Sequence, residues 1–209
     1  MSVAVDLDAL DLAALLCSRV CHDLISPTGA IVNGLEVLEE KDSDEETKTF
    51  ALDLIKRSAR TASARLQFCR LAFGAAGSAS AQVDLGDARA MAQAFIEDDK
   101  TKLAWNLPRA LAPKNRVKLL LNLLLVSIQA IPRGGTLSVE GDPSQGFRIT
   151  ARGMNARIPQ PAERFLTGAA VDGVDAHAIQ PYYAALLAQD CGLRVSIAKE
   201  GEAIVIAAQ

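Results

Sequence analysis

Two apolar stripes of helical period fill the first third of the chain, and they leave few folds open to it. From about Asp8 to Glu40, apolar or small residues recur at Leu16, Val20, Leu24, Pro27, Ile31, Leu35 and Leu38. That alternating step of four and three describes a helix with one buried line. Asp8 can cap its start. The acidic, polar run from Lys41 to Glu46 breaks the stripe, and a second follows at Ala51, Ile55, Ala59, Ala62, Leu66, Cys69 and Phe73. The spacing predicts an antiparallel helical hairpin. A lone hairpin buries only one side of each helix, so a second copy is expected to complete a four-helix bundle. Val20, Leu24, Ile31, Leu35, Ile55, Ala62 and Leu66 are expected in the core of that homodimer.

Gly74 to Ser80 has the small, flexible composition of a linker. It divides the chain into a helical-hairpin domain, 1–76, and a second domain, 82–209. Beyond it the pattern predicts a helix from Asp87 to Glu97, a strand from Lys102 to Asn106 and a long apolar helix from Pro113 to Ala130. Strands follow at Gly135 to Glu140 and Gly146 to Thr150, then an irregular region, a helix from Pro181 to Gln189, and strands at Leu193 to Ala198 and Ala203 to Ala207. The fold class is therefore α+β, a hairpin followed by a two-layer α/β sandwich.

With 209 residues, half of them apolar, the chain can build a sizeable core without metals or disulfides. A net charge of −3 argues against nucleic acid as a partner, because phosphate-backbone affinity needs clustered Lys and Arg. Neither a signal peptide nor a membrane-length apolar span is evident, so a cytoplasmic protein with no membrane partner is expected. Cys17, Cys21, Cys69 and Cys191 read as reduced core residues. A zinc site on Cys17, Cys21 and His22 lacks ligands, since His177 is the only other histidine.

On the first helix, a turn of about 100° per residue puts His22 on the side away from Val20 and Leu24, facing solvent. Ser26, Gly29 and Asn33 share its line, small enough for another protein's helix to approach closely. An exposed histidine is by default an ordinary surface residue. The local sequence raises its standing: His22-Asp23-Leu24-Ile25-Ser26-Pro27 resembles the H-box of sensor histidine kinases, in which an acidic residue follows the phosphorylated histidine and a proline lies five positions on. Proline within a helix costs about 3 kcal/mol, which invites a functional reason for Pro27.

Leu120 to Gln129 looks like the N-box helix of the kinase ATP-binding domain, and Pro132 to Leu137 like the turn and strand after it. The resemblance fails where nucleotide chemistry needs it. Val126 occupies the position of the magnesium-binding asparagine, and valine offers no oxygen to a hard cation. Ala151 stands where an adenine-reading aspartate would be, Gly153 alone survives of the glycines after it, and His177 to Pro181 replaces the glycine-rich phosphate loop. An H-box hairpin beside a domain of this kind closely resembles the ChpT-type histidine phosphotransferases, over about Asp8 to Ala207, with Leu15 to Asp23 and Ala62 to Phe68 among the matching segments.

That resemblance implies a dimeric relay in cell-cycle signalling, passing phosphate through His22 between a hybrid histidine kinase's receiver domain and response regulators. It also implies no cofactor on this chain and Mg²⁺ on the partner receiver. An imidazole is nucleophilic near neutral pH, and phosphoryl transfer depends chiefly on in-line positioning and charge stabilisation. Asp23 is a candidate for orienting the His22 ring. Because receiver sites are acidic, Arg19, Arg65, Arg148 and Arg152, with Ser26, Gly29 and Asn33, are candidate regulator-binding residues. Arg57 and Arg60 also line the second helix, and Arg148, Arg152 and Arg157 are expected around the former nucleotide pocket. The competing readings are a non-catalytic dimeric adaptor and an ATP-using histidine kinase.

Overall fold

The computed structural model describes residues 7–74, 81–142, 144–167, 173–175 and 178–209. Helix α1 spans Ala9–Glu39 and α2 spans Glu45–Ala72. Each has its first amides capped by the aspartate before it. The Asp8 carboxylate accepts from the Leu10 and Asp11 amides at 2.8 Å, and that of Asp44 accepts from Thr47 at 2.7 Å. The two helices run antiparallel and cross closely at Gly34, where a Cβ would lie 2.7 Å from Ile55 Cγ1. Only glycine admits that approach.

The rest of the chain follows the order β1 (Gln82–Asp84), α3 (Leu85–Ile96), β2 (Thr101–Trp105), β3 (Leu111–Pro113), α4 (Lys114–Ala130), β4 (Gly135–Asp142), β5 (Gly146–Arg152), α5 (Gln160–Thr167), α6 (Ile179–Asp190), β6 (Val195–Glu200) and β7 (Ala203–Ala208). Five strands form one sheet in the order β2-β4-β5-β7-β6, parallel at β2/β4 and antiparallel elsewhere, while β1 and β3 pair separately. Leu137, Val139, Phe147, Ile149, Ala151, Ile204 and Ile206 turn one face of the sheet onto α3, α4 and α6. Strand alternation sends their neighbours to the other face. The long helices and main strands fall within a few residues of the sequence expectation. The two short strands β1 and β3 were not expected, and α5 occupies what read as an irregular region.

The hairpin is not a free-standing unit. Phe68 and Ala72, in the last two turns of α2, belong to the same core as α3 and α4, and the Phe68 ring stacks on Phe95 with centroids 4.3 Å apart. At the start of α1, Leu7, Leu12, Leu15 and Leu16 pack on Phe165, Ile179 and Tyr182, and the Leu7 amide donates to the Tyr182 hydroxyl at 3.2 Å. Burying a side chain the size of Phe68 is worth about 1.5–3 kcal/mol, so these contacts hold the hairpin against the sandwich. Apart from Gly74, the expected linker lies outside the described residues, as does His177.

Some of the expected core is outside it in the single chain. Leu35 and Leu66 are exposed, as are Ala59 of the second stripe and Cys17 and Cys21, while Cys69 is buried and Cys191 partly so. Periodicity identifies an apolar arc but not which part of it the neighbouring helix covers; α2 takes the flank around Pro27 and Gly34 and leaves the other open.

Candidate functional site

The centre of the site is the turn of α1 that carries His22 and Asp23. The His22 side chain is 82% exposed, and its neighbours along the helix, Ser26, Gly29 and Asn33, are exposed too. A Cβ added at Gly29 would meet nothing within 4 Å, so this strip is open ground. The phase expected for this line of residues is the phase observed.

Asp23 has a different environment. Its side chain is only 13% exposed and one carboxylate oxygen accepts from Arg19 Nε at 3.2 Å, one helical turn earlier. The other oxygen lies 3.6 Å from His22 Nδ1, beyond hydrogen-bond range. His22 therefore turns Nδ1 towards its acidic neighbour and Nε2 outwards. Arg65 reaches across from α2, and its Nη1 donates to the backbone carbonyl of Asp23. Arg65, expected to face a regulator, is thus engaged inside the hairpin, and Arg19 is held by Asp23. Cys69, one turn beyond Arg65, is buried beside this cluster; desolvation first, and the Asp23 charge second, push its thiol up to about 11. It is no competing nucleophile at neutral pH.

The second domain places its residues less as expected. Arg148 and Arg152 alternate on β5 with the core-facing Phe147, Ile149 and Ala151, so they stand on the outer face of the sheet, not around a pocket beside α4. Arg148 lies between Glu140 at 3.9 Å and Glu200 at 2.5 Å, which occupies much of its charge. Arg157 is exposed just past β5. Val126 and Ala151 are both buried in the main core. Gly153 has a packing reason to be glycine, because a Cβ there would lie 2.3 Å from the Gly134 carbonyl oxygen. A strand-end contact accounts for it without a nucleotide.

One polar cluster was missed by the sequence reading. Asn122, in the middle of α4, donates through Nδ2 to the carbonyls of Ala72 at 3.0 Å and Lys118 at 2.8 Å, and its Oδ1 accepts from Gln180 Nε2. Both side chains are fully buried, and Gln180 Oε1 has no partner among the described residues. Asn122 thereby ties the last turn of α2 to α4 and α6. An asparagine inside a leucine run was the available signal.

Among the described residues no group of His, Cys, Asp and Glu could hold a metal ion, and no helix is long and apolar enough to cross a membrane.

Comparison with known proteins gives concordant matches. Residues 85–203 match the family model of the histidine phosphotransferase C-terminal domain. The chain is 53% identical to the protein phosphotransferase ChpT of Brucella abortus (strain 2308), an alignment covering all of both chains. The solved structure of a bacterial phosphotransferase superposes with a TM-score of 0.87 at 50% identity, again over all of both chains.

Proposed function

The chain belongs to the histidine phosphotransferase family and is a protein phosphotransferase of a phosphorelay, and from that premise we propose that His22 is the residue that carries the phosphoryl group. The observation behind this is the open strip on α1: a histidine 82% exposed, flanked along the helix by Ser26, Gly29 and Asn33, with Asp23 beneath its inner nitrogen. A receiver domain's helices can approach such a strip without meeting a large side chain.

The chemistry divides between the partners. Nε2 of the neutral ring attacks phosphorus in line, the bond from phosphorus to the receiver's aspartate oxygen breaks, and the electron pair leaves on that carboxylate. The ring then carries positive charge, with Nδ1 turned towards the Asp23 carboxylate 3.6 Å away. The receiver brings Mg²⁺ and this chain brings the nucleophile. Passing the group to a second receiver reverses the same steps. The donor on this reading is the receiver of a hybrid histidine kinase, the acceptors are response regulators, and the setting is the cytoplasm.

Phosphate comes from a receiver and not from ATP, a reading supported by buried valine and alanine at Val126 and Ala151, where the kinase pattern places its magnesium and adenine ligands. The active form is a homodimer, supported by the apolar residues left open on the hairpin: Ile25, Val32 and Leu35 on α1, Leu52 and Leu66 on α2.

The test is transfer of radiolabel from a receiver domain phosphorylated on its aspartate. Wild-type protein should take an acid-labile label, Mg-ATP alone should give none, and His22→Ala should take none while keeping its fold, because an exposed side chain contributes little to stability. Label that persists in His22→Ala removes the assignment. Unchanged signalling to partners without any label would favour a docking adaptor.

A further inference from the structure

Pro27 lies inside α1, one turn past Asp23, and it is buried against α2. In an unbroken helix the amide of residue 27 would donate to the carbonyl of residue 23; proline has no amide hydrogen, so that carbonyl loses its partner. Thr28 adds to the disturbance by turning its hydroxyl back onto the Leu24 carbonyl at 2.8 Å. The gap in the hydrogen-bond ladder therefore falls in the backbone of the turn that follows His22. A partly buried backbone carbonyl without a partner is costly, and the structure supplies one from the other helix: Arg65 Nη1 donates to the Asp23 oxygen. The carboxylate of the same Asp23 is engaged by Arg19, so each arginine has its own group to hold.

We propose that Arg65 is a positioning residue for phosphotransfer, its guanidinium replacing on the Asp23 carbonyl the amide that Pro27 lacks and so fixing the height and angle of the His22 turn against α2. The inference rests on His22 being the phosphoacceptor. It gives Arg65 a role inside the protein and not at the regulator surface. In-line transfer is sensitive to position, and a displacement of about 1 Å at the nucleophile is enough to slow a reaction about 100-fold.

The experiment is a double-mutant cycle on Arg65 and Pro27, read by rapid-quench transfer from a radiolabelled phosphorylated receiver domain to the full chain. Arg65→Met should slow transfer at saturating receiver by about 10-fold or more, with the half-saturating receiver concentration changed by less than about 2-fold. Arg65→Lys keeps a charged donor and should recover most of that loss. In a Pro27→Ala background the new amide at position 27 can take the Asp23 carbonyl, and there Arg65→Met should cost less than about 2-fold. Equal losses in the two backgrounds overturn the proposal, as does a loss confined to the half-saturating concentration, which would make Arg65 a receiver contact. Pro27→Ala as slow as Arg65→Met also overturns it, because the proline itself and not the carbonyl would then be what matters. Should Arg65→Met fail to fold, Arg65→Gln is run through the same cycle. A label that never resides on His22 removes the phosphoacceptor reading, whereas labelled His22 with a flat cycle removes only the role of Arg65.

Discussion

Replacing Asn122 by leucine should destabilise the protein by about 2–6 kcal/mol, because leucine fills the volume but leaves two buried groups without partners, each costing about 1–3 kcal/mol. The first is the Ala72 carbonyl, among the last of α2, where a helix has run out of amides to meet its own oxygens. The second is the Gln180 side-chain nitrogen, whose hydrogen bond is to Asn122. The Lys118 carbonyl suffers less, since it lies within α4 and keeps its helical partner. Against a total stability of about 5–15 kcal/mol the loss is large. Urea unfolding followed by circular dichroism measures it, at one fixed protein concentration because association would shift the midpoint. A second variant isolates the mechanism. Adding Gln180→Leu to Asn122→Leu removes one of the orphaned groups, so the double variant should be at least as stable as Asn122→Leu alone. If Asn122→Leu costs less than about 0.5 kcal/mol, the usual scale of a neutral surface change, or if Gln180→Leu adds its full separate cost, the reasoning from unsatisfied groups is wrong.

Leu66 is 52% exposed on the open side of the hairpin, and on the bundle reading a partner copy covers it; Leu66→Asp would bury an unpaired charge there and should yield monomers or unfolded chains by light scattering. Wild-type protein that stays monomeric at every workable concentration would falsify the bundle. Cys69 and Cys191 both have thiols pushed up to about 11, chiefly by burial, so at pH 8 their thiolate fraction is on the order of a thousandth. N-ethylmaleimide followed by mass spectrometry should therefore modify Cys17 or Cys21 first, and early modification of Cys69 would contradict its placement.

The hairpin, the Asp8 cap, the outward phase of His22 and the lengths of the long elements were all legible from the amino-acid sequence, because each depends on neighbours within one or two turns. Helical period alone puts His22 opposite Val20 and Leu24, and Asp8 caps its helix whatever the rest of the chain does. Strand alternation on β5 was equally available and would have placed Arg148 and Arg152 on the outer face, had Phe147, Ile149 and Ala151 been read as the buried set. The short strands β1 and β3 were not legible, since three residues carry too little pattern and exist by pairing with each other across the fold. What only the tertiary structure decided are the meetings of residues far apart in sequence: Arg65 on the carbonyl that Pro27 leaves open, Asn122 on the end of α2, and Phe68 on Phe95. Residue type shows that an arginine or a buried asparagine needs a partner. Which partner it finds depends on how the helices pack, and that is a property of the whole chain.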